Sequence, residues 1–557
     1  MAIKRYIADA NNTITNAFKS NLSTRGTGSN MGESDVMEIF SIYGQASSSA
    51  PTGYSQELSR GLIRFPVGTM SSDRTAGTIP ASGSVAWYLK LFNAKHSFTV
   101  PKNLQLVVAP ITTDWDEGNG LDMEEYKDLT HDGSGSNWIR ARSGSTPAGA
   151  GLISWNNIGG DYLNYHDITS PPTTYTVTFP NGVGDMEVDI SHLVEEWITG
   201  EAGGGSGLTN YGVMIKITGS QEAYSKTSTS TAILLNTTGA KESYYTKKFF
   251  NRETEYFFKR PCIEARYDQA NRDDRGNFIY SSSLSDGDGN LNTLFLYNYV
   301  RGKLTNIPGI VTDYTGEIYV SFFSGNLAGN AVADAPHQVL ECVTTTDFVQ
   351  SGNPYAVTGG YVSTGIYSAS VCLTGASTPL TRIYDVWFTG SHTITSSLDP
   401  NATVYTTGSF VPTKLNTSPI YSTPRYTTKI QNLKAVYNTN TRPRMRLFIR
   451  ELGADYNIYV TTVSEPKNQI IEDAYYKVYR IVDQTEAIAY GTGSAPGATK
   501  STSDYTRLSF DVSGAYFDLD MSLLEQGYAY GVKFVYYDGT EYLEQPEIFK
   551  FRVEDKS

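Results

Sequence analysis

Apolar and aromatic residues recur along this chain in short alternating runs, each stopped by Gly, Asn, Asp, Ser or Pro. Leu62-Ile63-Arg64-Phe65, Leu104-Gln105-Leu106-Val107-Val108, Thr174-Tyr175-Thr176-Val177-Thr178-Phe179 and Leu294-Phe295-Leu296-Tyr297-Asn298-Tyr299-Val300 are examples. A period of two built from β-branched and aromatic residues suits a pleated, half-buried surface, and the turn residues between runs close hairpins. Among 557 residues, 40 Tyr, 23 Phe and 6 Trp supply the aromatic part and 51 Gly the turns. Abundant Ser, Gly and Thr would also suit disorder. The 39% hydrophobic fraction and the regular return of alternating runs oppose that for most of the chain. The expected class is all-β, as tandem β-sandwiches.

Length and charge narrow the function. At roughly 150 residues per domain the chain suggests about three or four domains. The 57 acidic residues outnumber 44 Lys and Arg, leaving a net charge of −13, which opposes nucleic-acid binding because phosphate neutralisation needs clustered cations. No apolar run reaches the roughly 18 residues of a membrane span. The start Met1-Ala2-Ile3-Lys4-Arg5-Tyr6 lacks an apolar signal segment, so no secretion signal is expected. Cys262, Cys342 and Cys372 are too few and too far apart for a disulfide scaffold or a CxxC zinc module. They are expected as buried thiols, although Cys342 and Cys372 are candidates to face each other across a sandwich.

The chain divides by pattern. Residues 1–268 are expected to form one β-domain, residues 272–399 a second, immunoglobulin-like sandwich, and residues 432–557 a third. Residues 400–431, with Pro400, Pro412, Pro419 and Pro424, read as an extended linker or edge strand. One helix interrupts the first domain: Ile190, Leu193, Val194 and Trp197 share a face, Asp189 or Ser191 caps its start, and Gly200 is placed for a left-handed end. A flexible loop is expected over Glu201-Ala202-Gly203-Gly204-Gly205-Ser206-Gly207. In the last domain Leu524, Gly527, Tyr530, Val532 and Phe534 follow the spacing around the tyrosine corner of fibronectin type III domains, with Tyr530 in a structural role.

The first domain resembles the jelly-roll domains called DNRLRE, which are related to alginate-binding carbohydrate-binding modules. The resemblance is carried, in order, by Ala8-Asp9, Ser29-Asn30-Met31-Gly32, Ser59-Arg60-Gly61-Leu62-Ile63-Arg64-Phe65, the helix with Trp197, Asn210-Tyr211-Gly212, Phe250-Asn251-Arg252-Glu253 and Arg260-Pro261-Cys262. It implies a jelly roll with one short helix and allows a single structural calcium, since related modules often hold one. The whole chain also resembles virion structural proteins of marine tailed bacteriophages, through Arg25-Gly26-Thr27-Gly28-Ser29-Asn30-Met31-Gly32, Arg275-Gly276-Asn277-Phe278 and Tyr516-Phe517-Asp518-Leu519-Asp520-Met521.

Residues that carry chemistry are sparse. His96, His131, His166, His192, His337 and His392 are not paired at metal-ligand spacing. Asp286-Gly287-Asp288-Gly289-Asn290 opens like a calcium loop, but Leu291 and Tyr297 stand where Gly and Glu are needed. No nucleophile elbow, phosphate-binding loop or dinucleotide fingerprint occurs. The acid pairs Asp114 with Asp116 and Glu124 with Glu125 would serve glycoside hydrolysis only if their carboxyl groups converged. In the long insertion over residues 112–171, Trp115, Trp138, Trp155, Tyr162 and Tyr165 are candidates to stack on a sugar or touch a partner. The competing role is packing the insertion onto its own sheet.

The expected function is therefore non-enzymatic: a structural component of a tailed-phage virion, in its neck, tail, fibre attachment or capsid decoration. It would be assembled in the host cytoplasm and act by contacts with other virion proteins and with copies of itself. No catalytic residue, cofactor or metal is assigned, and neither nucleic acid nor membrane is expected as a partner. The alternative is an adhesin that binds host or environmental polysaccharide.

Overall fold

Alternation within single strands sets the layers of the protein. In Ala86–Leu91, Trp87, Leu89 and Leu91 are buried, while Tyr88 and Lys90 between them are half-buried. The computed structural model describes residues 3–19, 21–44, 56–95, 101–121, 135–142, 152–163, 175–201, 207–282, 285, 288–310, 318–325, 340, 342–343, 355–373, 380–390, 402–413, 425–452, 468–491, 504–537 and 541–555. The fold is all-β, and among the described residues its strands pair antiparallel apart from one short parallel pair. Two compact units are present, Ile3–Tyr267 and Asp268–Ser557. No helix among the described residues is long and apolar enough to cross a membrane.

Among the described residues the first unit holds two large sheets and a two-stranded ribbon of Arg140–Arg142 with Ile153–Ser154. The smaller orders its strands Ile3–Ile7, Cys262–Arg266, Ala86–Leu91 and Met186–Asp189. The larger orders Tyr244–Phe250, Val36–Tyr43, Gln56–Arg64, Val213–Ile217, Leu104–Pro110 and Tyr175–Phe179, with Ala10–Thr15 also paired to Gln56–Arg64. Two α-helices accompany them among the described residues, where a single one was expected. The expected helix, α2 (Ser191–Glu201), buries Leu193, Val194 and Trp197, and Asp189 accepts the Ser191 N–H at 2.9 Å. Gly200 does not end it in a left-handed turn. The helix runs on to Glu201, and a Cβ at Gly200 would meet the Leu208 carbonyl at 2.3 Å. Residues 202–206, most of the expected flexible loop, lie outside the described residues. The additional helix, α1 (Val67–Thr75), buries only Val67 and Met70, too thin a stripe to be read from periodicity. Tertiary contact holds it: Arg74 forks onto Glu195 of α2 at 2.5 and 2.6 Å, and Trp87 donates to the same carboxylate at 2.9 Å.

In the second unit, Asn292–Tyr297, Ile366–Leu373, Val357–Ser363, Ile318–Gly325, Arg382–Thr389 and Thr403–Phe410 lie side by side in one sheet. Its core gathers Leu294, Leu296, Val320, Phe322, Tyr367, Ile383, Trp387 and Phe410. Cys372 is a free, buried thiol that donates to the Asn290 carbonyl at 3.2 Å, and its neighbour across the ladder is Val343. The stretch over residues 400–431 is not a bare linker. Thr403–Phe410 is an edge strand of this sheet, and Arg425–Ile430 joins the next one. Neither strand contains a proline, so both keep every backbone N–H for the ladder.

Two further sheets follow. One contains Arg425–Ile430, Arg444–Leu452, Gly514–Asp518 and Ser509–Asp511; the other is centred on Ala529–Tyr537. They face each other, since Tyr476 stacks on Phe517 with ring centroids 4.4 Å apart and Thr428 meets the Tyr536 hydroxyl at 2.7 Å. At the corner Gly527 takes φ +85°, and the buried Tyr530 donates its hydroxyl to the Glu525 carbonyl at 2.8 Å. Tyr530→Phe removes that donor while keeping the ring. We expect a loss of about 1–2 kcal/mol in the second unit, read from urea denaturation.

The segment after residue 268 ties these sheets together. Asp273 and Phe510 are joined by a backbone bond of 3.0 Å, and the Arg275 guanidinium reaches Asp273 and Asp385, each at 2.6 Å. Arg275 belongs to one of the segments that prompted the phage resemblance, and here it is a structural tie.

Candidate functional site

The centre of the seven-stranded sheet of the first unit is buried on both faces. In Gln56–Arg64 every residue up to Ile63 is buried, although an alternating strand in a plain sandwich would show one face to water. The covering layer is the insertion nominated above. Trp115, Trp138 and Trp155 have relative exposures of 1%, 0% and 5%, and pack with Ile14, Leu58, Leu62 and Met214 of the sheet. Each indole N–H is consumed by a carbonyl: Trp115 on Tyr211 at 2.7 Å, Trp138 on Ala232 at 3.1 Å, Trp155 on Asn137 at 2.8 Å. Tyr162 packs partly buried against this cluster, and Tyr165 lies outside the described residues. The three tryptophans thus roof the sheet. Their faces are not presented to solvent as stacking on a sugar requires.

Local chemistry shapes the roof. Asp161, itself buried, accepts the Asn156 and Asn157 N–H groups, each at 2.8 Å, and the Thr113 hydroxyl at 2.9 Å, which closes the turn. Gly159 and Gly160 follow at φ +80° and +98°. A Cβ at Gly160 would lie 2.3 Å from the Met214 methyl, which a flexible side chain can withdraw, so it is the left-handed backbone at φ +98° that selects glycine there.

Beneath the roof lies a buried ionic triad. Arg60, in the middle of its strand, donates to the Glu222 carboxylate at 2.9 Å and to the Gly159 carbonyl at 2.8 Å. Lys216 of the adjacent strand approaches the same Glu222 oxygen at 3.3 Å. The Arg60 guanidinium sits 5.3 Å from the Trp138 ring and 5.4 Å from the Tyr162 ring. Burial by itself would raise the Glu222 pKa, but the charges of Arg60 and Lys216 outweigh it and hold the carboxyl below its ordinary range. Burial likewise disfavours the Arg60 cation, and Glu222 overrides that. The triad is a charged clamp between sheet and roof. Arg60 was visible in the sequence as one of two arginines in Ser59-Arg60-Gly61-Leu62-Ile63-Arg64-Phe65; Lys216 and Glu222 became its partners only through the fold.

The remaining candidates are placed as follows. Asp114 and Asp116 both bind Arg142, at 2.6 and 2.8 Å, so one guanidinium bridges the two carboxylates and engages both in a structural ion pair. Glu124 and Glu125 lie outside the described residues, as do His96, His131, His166, His337 and His392, while His192 is on α2. Asp286 and Gly287 are also outside them, and Asp288–Asn290 forms a short 3-10 turn. Among the described residues no group of three or more His, Cys, Asp or Glu is arranged to hold a metal ion. Several residues behind the jelly-roll resemblance are fold-holding contacts. Asn210 bonds the Phe65 carbonyl at 2.9 Å, and Arg252 donates its N–H to Asn11 at 2.7 Å and its guanidinium to Glu117 at 2.9 Å. No protein-family model and no curated protein matches this chain.

Proposed function

We propose that this protein is a non-enzymatic structural component of a tailed-phage virion, acting in particle assembly through protein–protein contacts. The observation that carries the assembly reading is the edge strand Thr403–Phe410. It pairs on one side with Arg382–Thr389, and no described strand pairs with its other side. Its eight residues, Thr-Val-Tyr-Thr-Thr-Gly-Ser-Phe, carry no charge in a chain whose net charge is −13. Edge strands that remain monomeric are commonly guarded by lysine, proline or an inward-pointing charge. An unguarded one offers a row of backbone donors and acceptors to a partner's strand. Assignment to a phage particle rests on the sequence resemblances named above.

Val404 and Tyr405, 44% and 36% exposed, allow a direct test. The double change Val404→Lys and Tyr405→Lys is expected to cost at most about 1 kcal/mol in stability and to abolish co-sedimentation with particles, measured on virions assembled with the variant. Mass spectrometry of purified virions is the prior check, and absence of the wild-type chain from them overturns the proposal. Binding of the isolated protein to a glycan array, with no particle association, would transfer the assignment to the polysaccharide-binding alternative.

A further inference from the structure

Lys247 is the most deeply buried amine that neither the triad nor the edge strand uses. It lies on Tyr244–Phe250, the edge strand of the seven-stranded sheet, and has a relative exposure of 0%. Its Nζ is 2.5 Å from the Asn93 Oδ1 and 2.7 Å from the Gly184 carbonyl. The rings of Phe179 and Phe249 flank it, with centroids 4.4 and 4.8 Å from the nitrogen. Asn93 stands just beyond Ala86–Leu91, where the chain leaves the smaller sheet and bridges to Phe249 of the larger one. Backbone bonds from Phe250 to Phe92 (2.9 Å) and from Ala94 to Lys248 (3.0 Å) hold this crossing in register. Asp185 accepts the Asn93 N–H at 2.7 Å and fixes the backbone that carries the carboxamide.

We propose that Lys247 and Asn93 join in an intramolecular isopeptide bond that staples the two sheets of the first unit. The Nζ of the neutral amine attacks Cγ of Asn93, and the Cγ–Nδ2 bond breaks. One amine proton passes to Nδ2, which leaves as ammonia, so the products are a secondary amide and one ammonia, with no oxidant or second reactant. Three features favour this step. The amine and carboxamide are held together by the fold, which replaces a bimolecular encounter by a fixed approach. Burial disfavours the ammonium form and brings the Lys247 pKa down to about 8, although the Asp185 charge opposes the shift. About a tenth of the amine is then an uncharged nucleophile at neutral pH. Finally, a buried ammonium is costly to keep, whereas the amide product carries no charge.

This staple is independent of the assembly reading and is tested on the full-length chain alone. The expected result is an intact mass lower than the sequence mass by one ammonia in most molecules. Proteolysis is expected to release a branched peptide joining the segment with Asn93 to the segment with Lys247. Succinimide formation at Asn119-Gly120 or Asn181-Gly182 also expels one ammonia, but yields no branched peptide and is opened by hydroxylamine. Lys247→Arg keeps the charge without an amine nucleophile and is expected to retain the full mass. A folded wild-type chain that keeps its sequence mass through prolonged incubation at about pH 9, above the Lys247 pKa, overturns the proposal. So does an ammonia loss that maps only to other sites, with no branched peptide joining Asn93 and Lys247.

Discussion

Replacing Glu222 by alanine is expected to destabilise the first unit by about 3–5 kcal/mol, because it strands Arg60 and Lys216 as two buried cations facing one another. Arg60 and Lys216 have side-chain exposures of 2% and 6%, so water cannot replace the lost carboxylate without opening the roof. The measurement is equilibrium urea denaturation monitored by tryptophan fluorescence, since Trp138 lies against the triad. Glu222→Gln keeps the shape but not the charge and should lose nearly as much. Converting all three residues to apolar ones of similar volume should recover most of the loss, because the triad then leaves no orphan charge. The wild type should also show an acid limb. Glu222 has a folded pKa below its ordinary value of 4.5, so its stabilisation is fully present above that value. It is lost as pH falls through the lowered folded pKa. The part of the acid limb due to Glu222 should be missing in Glu222→Gln. An unchanged acid profile and a loss below about 1 kcal/mol would show that the clamp is solvent-screened.

Trp138→Ala should cost a similar amount, about 3–5 kcal/mol, through the cavity left under the roof. The indole is fully buried among residues of the sheet and the insertion, and its N–H holds the Ala232 carbonyl. The insertion should become sensitive to protease before the rest of the first unit unfolds, which limited proteolysis followed by peptide mapping will show. This changes how glycan experiments are read. Loss of sugar binding in Trp138→Ala or Trp155→Ala would report collapse of the roof as readily as loss of a stacking face. A tryptophan variant that keeps its full stability would instead place that ring outside the core.

Some of this was readable in the linear order of residues. The strands over Leu104–Pro110, Tyr175–Phe179 and Asn292–Tyr297 coincide with alternating runs because the side-chain period of a strand is local. The same holds for α2, whose apolar stripe closes within its own turns, and for Tyr530, whose bond partner Glu525 is five positions away. Helix α1 was not readable, since two buried residues leave no stripe and the Arg74 fork that ties it to Glu195 of α2 spans 121 positions. The edge strand Thr403–Phe410 was ambiguous because threonine and serine suit a linker and a solvent-facing strand equally.

Which way the aromatic insertion faced was beyond local reading. Tryptophan in a long loop has the same composition whether it covers a sheet or waits for a ligand. The choice is made by the surface beneath it, here Ile14, Leu58, Leu62 and Met214. The ionic pairings have the same character. Arg60 and Glu222 are 162 positions apart, and Lys247 and Asn93 are 154 apart. Periodicity and turn chemistry act over a few residues, and they were enough to settle the all-β class. Burial and charge pairing depend on which distant strands become neighbours, so the roof, the clamp and the lysine–asparagine contact exist only in the folded sheets.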